Sequence, residues 1–125
     1  MGTVLHLADV AATPTSAGRW QALNGLLGVT TFGINAVVME PGEDADIEHH
    51  ELESAHQEVY VVVTGRAAFR LGDAEVEAGP GDVVAVGDPA EVRSFRALEP
   101  GTRIVCVGSG PGAEHPFGEW IGGAA

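Results

Sequence analysis

Six basic residues against eighteen acidic ones leave this 125-residue chain a net charge of −12, with 45% of its residues apolar. That charge repels phosphate backbones and anionic membrane surfaces, which disfavours nucleic-acid and lipid partners, and no apolar run approaches the roughly 20 residues a membrane span needs. The length suits one domain burying about two-thirds of its unfolded surface, and the opening MGTVLHLADVAATP lacks the basic region of a signal peptide. A soluble, cytoplasmic protein is expected. The single cysteine, Cys106, lies in the apolar run IVCVG and is read as a small buried hydrophobe.

Eighteen glycines and seven prolines mean frequent turns, and with few long helical patterns they point to an all-β domain of short strands. In chain order, a short strand is expected at residues 4–7, and Thr13-Pro14-Thr15-Ser16 reads as a loop. Residues 19–27, RWQALNGLL, read as a helical turn or irregular lead-in, because Gly25 and Gly28 oppose a stable helix. Residues 29–40 are β-branched and aromatic and end at Pro41-Gly42, as one strand or two with a kink at Gly33.

A polar run, EHHELESAHQE, follows and feeds the strongest strand, residues 59–64. Thr64-Gly65-Arg66 turns into residues 67–71, Gly72-Asp73 into 75–77, and Ala78-Gly79-Pro80-Gly81-Asp82 into 83–86. Gly87-Asp88-Pro89 precedes a strand at 92–97, and Glu99-Pro100-Gly101 precedes the last, at 103–107. The tail from 111 to 125 is rich in Gly and Pro, with Phe117 and Trp120 as anchors that lay it back on the barrel or a neighbouring subunit. Short strands at this spacing imply a jelly-roll sandwich or barrel. The expected organisation is an arm at 1–28, a core at 29–110 and a packed tail at 111–125, one domain in all.

Two segments carry the chemistry: Gly42, a His/Glu cluster, Glu58 and Gly65 first; Gly81-Asp82, an apolar strand, Pro89 and Arg93 second. Together they resemble the two motifs of the cupin superfamily. The first motif runs Gly, five residues, His-x-His, a few residues, Glu, six residues, Gly; the second runs Gly, five residues, Pro-x-Gly, two residues, His. QEVYVVVTG with GDVVAV is the most specific part, and the resemblance covers residues 29–110. It implies a small β-barrel that holds one divalent metal inside, and a homodimer, for which the edge of the lead-in strand offers a route.

Alternate residues of a strand share a face, so His56, Glu58, Tyr60 and Val62 point together, as do His49 and Glu51. If that face is the interior, His49, Glu51, His56 and Glu58 form a nitrogen and oxygen ligand set for Fe, Mn, Ni, Cu or Zn. The sequence departs from the motifs in three places, one of them a gap before Glu58 longer than the first motif prescribes. His49-His50-Glu51 puts Glu51 at the second ligand position, unless the register slips to His50, and the second motif's histidine aligns with Arg93. A guanidinium presents only donors and cannot ligate a metal. Two repairs are open: His56 supplies the missing nitrogen, or the metal is gone and Arg93 pairs with Glu58 or Glu51, or meets the carboxylate of a ligand. Arg93 and Tyr60 are the candidate substrate-binding residues, and a small oxygenated or carboxylated molecule is the expected partner.

Plainer readings stand beside these. The acidic run is a solvated loop, His56 and Glu58 a structural pair, and Tyr60 a core residue. Trp20 and Trp120 anchor the terminal segments, Phe32, Phe69 and Phe95 are core or pocket lining, and His6 and His115, without a cluster around them, are structural or exposed. No serine sits in a triad-like context and no phosphate loop is present.

Overall fold

Alternation of apolar and polar residues along the longest strands dictates which way each faces, and the faces assemble one core between two sheets. The computed structural model describes residues 2–43, 55–112 and 115. Nine strands occur among them: β1 Thr13–Thr15, β2 Gly18–Ala22, β3 Gly33–Met39, β4 Gln57–Thr64, β5 Ala67–Leu71, β6 Ala74–Ala78, β7 Val83–Val86, β8 Arg93–Ala97 and β9 Thr102–Ser109. All pairings are antiparallel, in a six-stranded sheet β1-β2-β3-β9-β4-β7 and a three-stranded sheet β6-β5-β8.

The alternation is cleanest in β4 and β9. Glu58, Tyr60 and Val62 are buried between the more exposed Gln57, Val59 and Val61, and Thr102, Ile104, Cys106 and Gly108 alternate likewise with Arg103, Val105, Val107 and Ser109. The inward residues meet an aromatic cluster that joins the sheets. Tyr60 lies 5.5 Å from both Phe69 and Phe95, which are 5.4 Å from each other, and Trp20 reaches Phe95 at 6.4 Å. Rings at these separations and tilts interlock the two sheets more strongly than their area alone.

The two motif segments meet at the backbone. Val62 N–H donates to Asp82 O at 3.1 Å and Gly81 N–H to Val62 O at 2.9 Å, while the Asp82 carboxylate accepts from Gly79 N–H at 2.8 Å and fixes the turn. This tie holds β7 against β4 and carries the chain on to β8.

The N-terminal region departs from expectation. Residues 4–7 do not form a strand; a single 3-10 turn, Leu7–Asp9, follows instead, held by Gln21 Nε2 donating to Leu7 O at 2.7 Å and Val10 O at 2.8 Å. The loop expected at 13–16 supplies β1, which tolerates Pro14 because among the described residues it is an edge strand. Residues 19–22 belong to β2 rather than to an irregular arm, and Trp20 packs in the core. Only Asn24–Leu27 is helical, ending at Gly28 in the left-handed region with φ 72°. Phe117 and Trp120 lie outside the described residues. No helix among the described residues is long and apolar enough to cross a membrane.

Candidate functional site

One end of the core is polar. The inward face of β4 carries Val62, Tyr60 and Glu58 in succession, with His56 just before the strand, and the last three are buried at 2%, 3% and 8% exposure. Ala55, in the left-handed region at φ 54°, turns the chain into this strand. Strand register shows why a carboxylate fits there. Glu58 stands opposite Gly108 of β9 and Val86 of β7, and Gly108 stands opposite Gly33 of β3. Two of the four inward positions on that rung have no side chain. The rung below is Asn35, Cys106, Tyr60 and Val84.

Arg93 enters from β8 of the other sheet and is 1% exposed. Its Nη1 donates to Glu58 Oε1 at 2.7 Å, a charge-assisted bond between two buried groups. Its remaining contacts hold its own loop: Nε donates to Glu91 O at 2.9 Å, and Nη2 to Asp88 O at 3.0 Å and Pro89 O at 3.4 Å. These four bonds use four of the five guanidinium N–H groups and leave one on Nη1. Arg93 thus neutralises Glu58 and ties the β7–β8 loop. By contrast, the ion pairs Arg66–Glu77 and Arg96–Glu75 are half-exposed and contribute little.

Burial, and after it the Glu58 carboxylate, hold the Tyr60 phenol far above its ordinary range, so the ring presents a neutral hydroxyl rather than a phenolate. That hydroxyl lies near Glu58 but makes no hydrogen bond of good geometry with a described residue. The same two causes, in the same order, push the Cys106 thiol well up. A thiol held protonated is a poor nucleophile. Native protein at pH 8 is therefore expected to resist iodoacetamide, with stoichiometric alkylation of Cys106 only after unfolding in guanidinium; rapid labelling of the native state would contradict this.

His115, read from sequence as isolated, is buried and lies against His56, with ring centroids 5.1 Å apart. Its backbone N–H donates to Thr30 O at 2.8 Å, and its Nε2 lies 3.4 Å from Ser109 Oγ. No local pattern in the sequence signals this contact, because the two histidines come from distant segments. Asn35, also missed, carried a signal: a polar residue at an inward position of an otherwise apolar strand.

Burial first, and His56 second, lower the His115 pKa below its usual value near 6.5. Above about pH 6.5 the group is neutral in both folded and unfolded states, and its contribution to stability is fully present. As pH falls below that value the unfolded chain takes up a proton that the folded one refuses, so stability is lost down to the folded pKa. The gap in Tm between wild type and His115→Gln is expected to narrow from pH 7.5 to pH 5; a constant gap would contradict the assignment.

No family model matches the sequence, and no curated protein does. Solved structures do. The sugar phosphate isomerase from a cupin superfamily of Silicibacter pomeroyi DSS-3 superposes with a TM-score of 0.68 at 22% identity, over 86% of this chain and 75% of that one. KdgF from a Halomonas species gives a TM-score of 0.71 at 17% identity, over 87% and 94%. A structure from Acidithiobacillus ferrooxidans gives 0.65 at 21% identity, and this chain spans only 60% of its length. The chain has a cupin fold.

By the sequence resemblance, Glu58 aligns with the glutamate of the first cupin motif and Arg93 with the histidine of the second. His49 and Glu51 lie outside the described residues. Among the described residues no three His, Cys, Asp or Glu side chains come together. The described part of the expected ligand set is poor for a metal at Glu58, because a permanent cation 2.7 Å from its Oε1 already neutralises the carboxylate. A guanidinium about 4 Å from a metal opposes it by roughly 4 kcal/mol per unit charge at an effective dielectric constant of 20.

Proposed function

We propose that the protein binds one small oxygenated or carboxylated molecule at the polar end of its cupin core, without a metal on Glu58. The buried Glu58–Arg93 bond carries this reading, because it supplies internally the positive charge that a metal would otherwise bring. Arg93 keeps one N–H on Nη1, Tyr60 offers a neutral hydroxyl, and Glu58 offers acceptor lone pairs. Convergent donors and an acceptor in a buried setting suit a carboxylate, a carbonyl or vicinal hydroxyls. The Silicibacter pomeroyi neighbour, named a sugar phosphate isomerase, supports a small-molecule role, although a shared fold does not fix function.

The competing reading is a divalent-metal enzyme in which His49, Glu51, His56 and Glu58 hold Fe, Mn, Ni, Cu or Zn. It requires the ion to bind Glu58 against the charge of Arg93. A thermal-shift screen of monosaccharides, sugar acids and short dicarboxylates, run in EDTA, separates the two. One class of compound is expected to raise Tm, and Tyr60→Phe is expected to weaken that compound about tenfold, the loss of roughly one hydrogen bond. Binding or turnover seen only after iron, manganese, nickel, copper or zinc is restored would favour the enzyme. A homodimer belongs to the same proposal, with β1 at the sheet edge as the pairing strand; a monomer mass by light scattering would overturn that part.

A further inference from the structure

The outer face of the six-stranded sheet carries a cleft remote from Glu58. The 3-10 turn Leu7–Asp9 is laid over this face by Gln21, whose amide donates to Leu7 O and Val10 O. Arg103 of β9 lies between the buried Thr102 and Ile104 and so points outward. Strand register sets it opposite Val38 of β3 on one side and Thr64 of β4 on the other, where the pairing slips past Val63. Between the turn and these strands lies a cleft of about 610 Å³, with Leu5, Leu7, Val38 and Val63 in its walls and the side chains of His6 and Arg103 beside them. Glu58 and Thr64 are six residues apart in β4, about 20 Å along the strand, and Glu58 faces the core instead.

We propose that this cleft binds an amphipathic monocarboxylate, with its head group on Arg103 and an apolar chain of about six to ten carbons along Leu5, Leu7, Val38 and Val63.

The charge pattern calls for an anion. In a chain of net charge −12, Arg66, Arg93 and Arg96 each pair with a glutamate. Arg103 is half-buried, yet it makes no ion pair among the described residues. Among the described residues no Asp or Glu lines the cleft, and Glu40, on the adjoining loop, accepts from Gly101 N–H at 3.0 Å. The Thr64 hydroxyl donates to Gly101 O at 2.9 Å, which leaves the guanidinium and the His6 imidazole as side-chain donors. Two parallel guanidinium N–H groups match the two oxygens of one carboxylate. The net charge of the chain disfavours polyanions and so selects a ligand with a single charge.

The walls set the rest of the ligand. Val63 is 42% exposed although it borders Val38, which is 9% exposed, so apolar surface faces water at the cleft. The volume lies in the range of small-molecule sites. An acyl chain removes that surface from water, whereas a sugar acid would set hydroxyls against it.

Calorimetric titration of the full chain with sodium hexanoate, octanoate and decanoate, each below its micelle concentration, tests this. One equivalent is expected to bind, about two- to threefold tighter per added CH2. Arg103→Gln is expected to weaken decanoate at least tenfold, and 1-octanol is expected to bind at least tenfold more weakly than octanoate. No saturable binding by wild type, equal affinity in folded Arg103→Gln, or equal affinity for hexanoate and decanoate would overturn the proposal. A dimer that excludes decanoate and that Val63→Asp dissociates, seen by light scattering, would instead assign the cleft to a second copy. A second measurement needs no variant. Decanoate should shift the methyl resonances of Leu5, Val38 and Val63 and leave those of Val62 and Val86, which face the core, unmoved; shifts confined to the core pair would overturn it.

Discussion

Glu58→Gln is expected to lower the midpoint of thermal unfolding by roughly 10–20 °C, the largest effect of any single substitution at the site. The change leaves the Arg93 guanidinium buried at 1% exposure with only backbone carbonyls and a neutral amide around it. Breaking a buried ion pair from one side costs about 3–5 kcal/mol, most of it the cost of the charge left behind. Arg93→Met should cost a similar amount, because it strands the carboxylate and frees the carbonyls of Asp88 and Glu91. The double variant should be less destabilised than the two singles added together, by at least about 2 kcal/mol, since it removes both charges at once. Additive single effects, each below about 1 kcal/mol, would show that the pair is not what stabilises this end of the core. Because the pair is buried, its contribution should survive 0.5 M salt, which would weaken the exposed Arg96–Glu75 bridge.

Gly65→Ala is the second large effect, at about 3 kcal/mol, and it reports on the closing glycine of the first motif. Gly65 sits at φ 76°, where a side chain costs about 1–2 kcal/mol. A Cβ there would also collide with the Thr102 hydroxyl and approach its Cα to 2.7 Å. Thr102 is fully buried; its Oγ1 accepts from Arg66 N–H at 3.2 Å and donates to Glu99 O at 2.7 Å, so it cannot step aside without losing both bonds. Gly72→Ala is the control. Gly72 has a similar φ of 60°, but the nearest atom to an added Cβ is Glu91 Cγ at 3.9 Å, so only the backbone cost of about 1 kcal/mol applies. Denaturant titration of the two variants should differ by about 2 kcal/mol, and equal losses would mean that the close approach to Thr102 is not real.

The parts of the molecule that could be read from sequence are those with one buried face. In HQEVYVVVTG the period of two puts Glu58, Tyr60 and Val62 on one side, and these residues are buried together in β4. The turns at Gly65, Gly72 and Gly81 sit where Gly residues with positive φ are needed, so the hairpins were legible as well. Strand β2 was not, for a physical reason. Trp20 faces the core, and its neighbour Gln21 is buried on the opposite face under residues 7–10, so the alternation that marks a strand disappears.

At the site, the chemistry of single residues was legible and their pairing was not. An arginine where the second motif has a histidine required an anionic partner, but Glu58 or Glu51 served equally well on paper. The choice depends on how two different sheets face each other. His115 shows the same limit more sharply. Nothing within its own segment marks it, and only the fold brings it to His56. Gly33 was read only as a possible kink and Gly108 fell beyond the expected last strand, yet strand register places both beside Glu58, where their missing side chains make room for the charged pair.

Whether Arg93 or a metal holds Glu58 decides between the two functional readings, and diffraction from crystals grown with one molar excess of Zn2+ measures it directly. Data collected at the zinc absorption edge locate every bound ion by its anomalous signal. The expected result is a Glu58–Arg93 contact unchanged near 2.7 Å with no anomalous peak within bonding distance of the carboxylate. A zinc peak about 2.1 Å from Glu58, with Arg93 turned out of the core, would contradict the metal-free site.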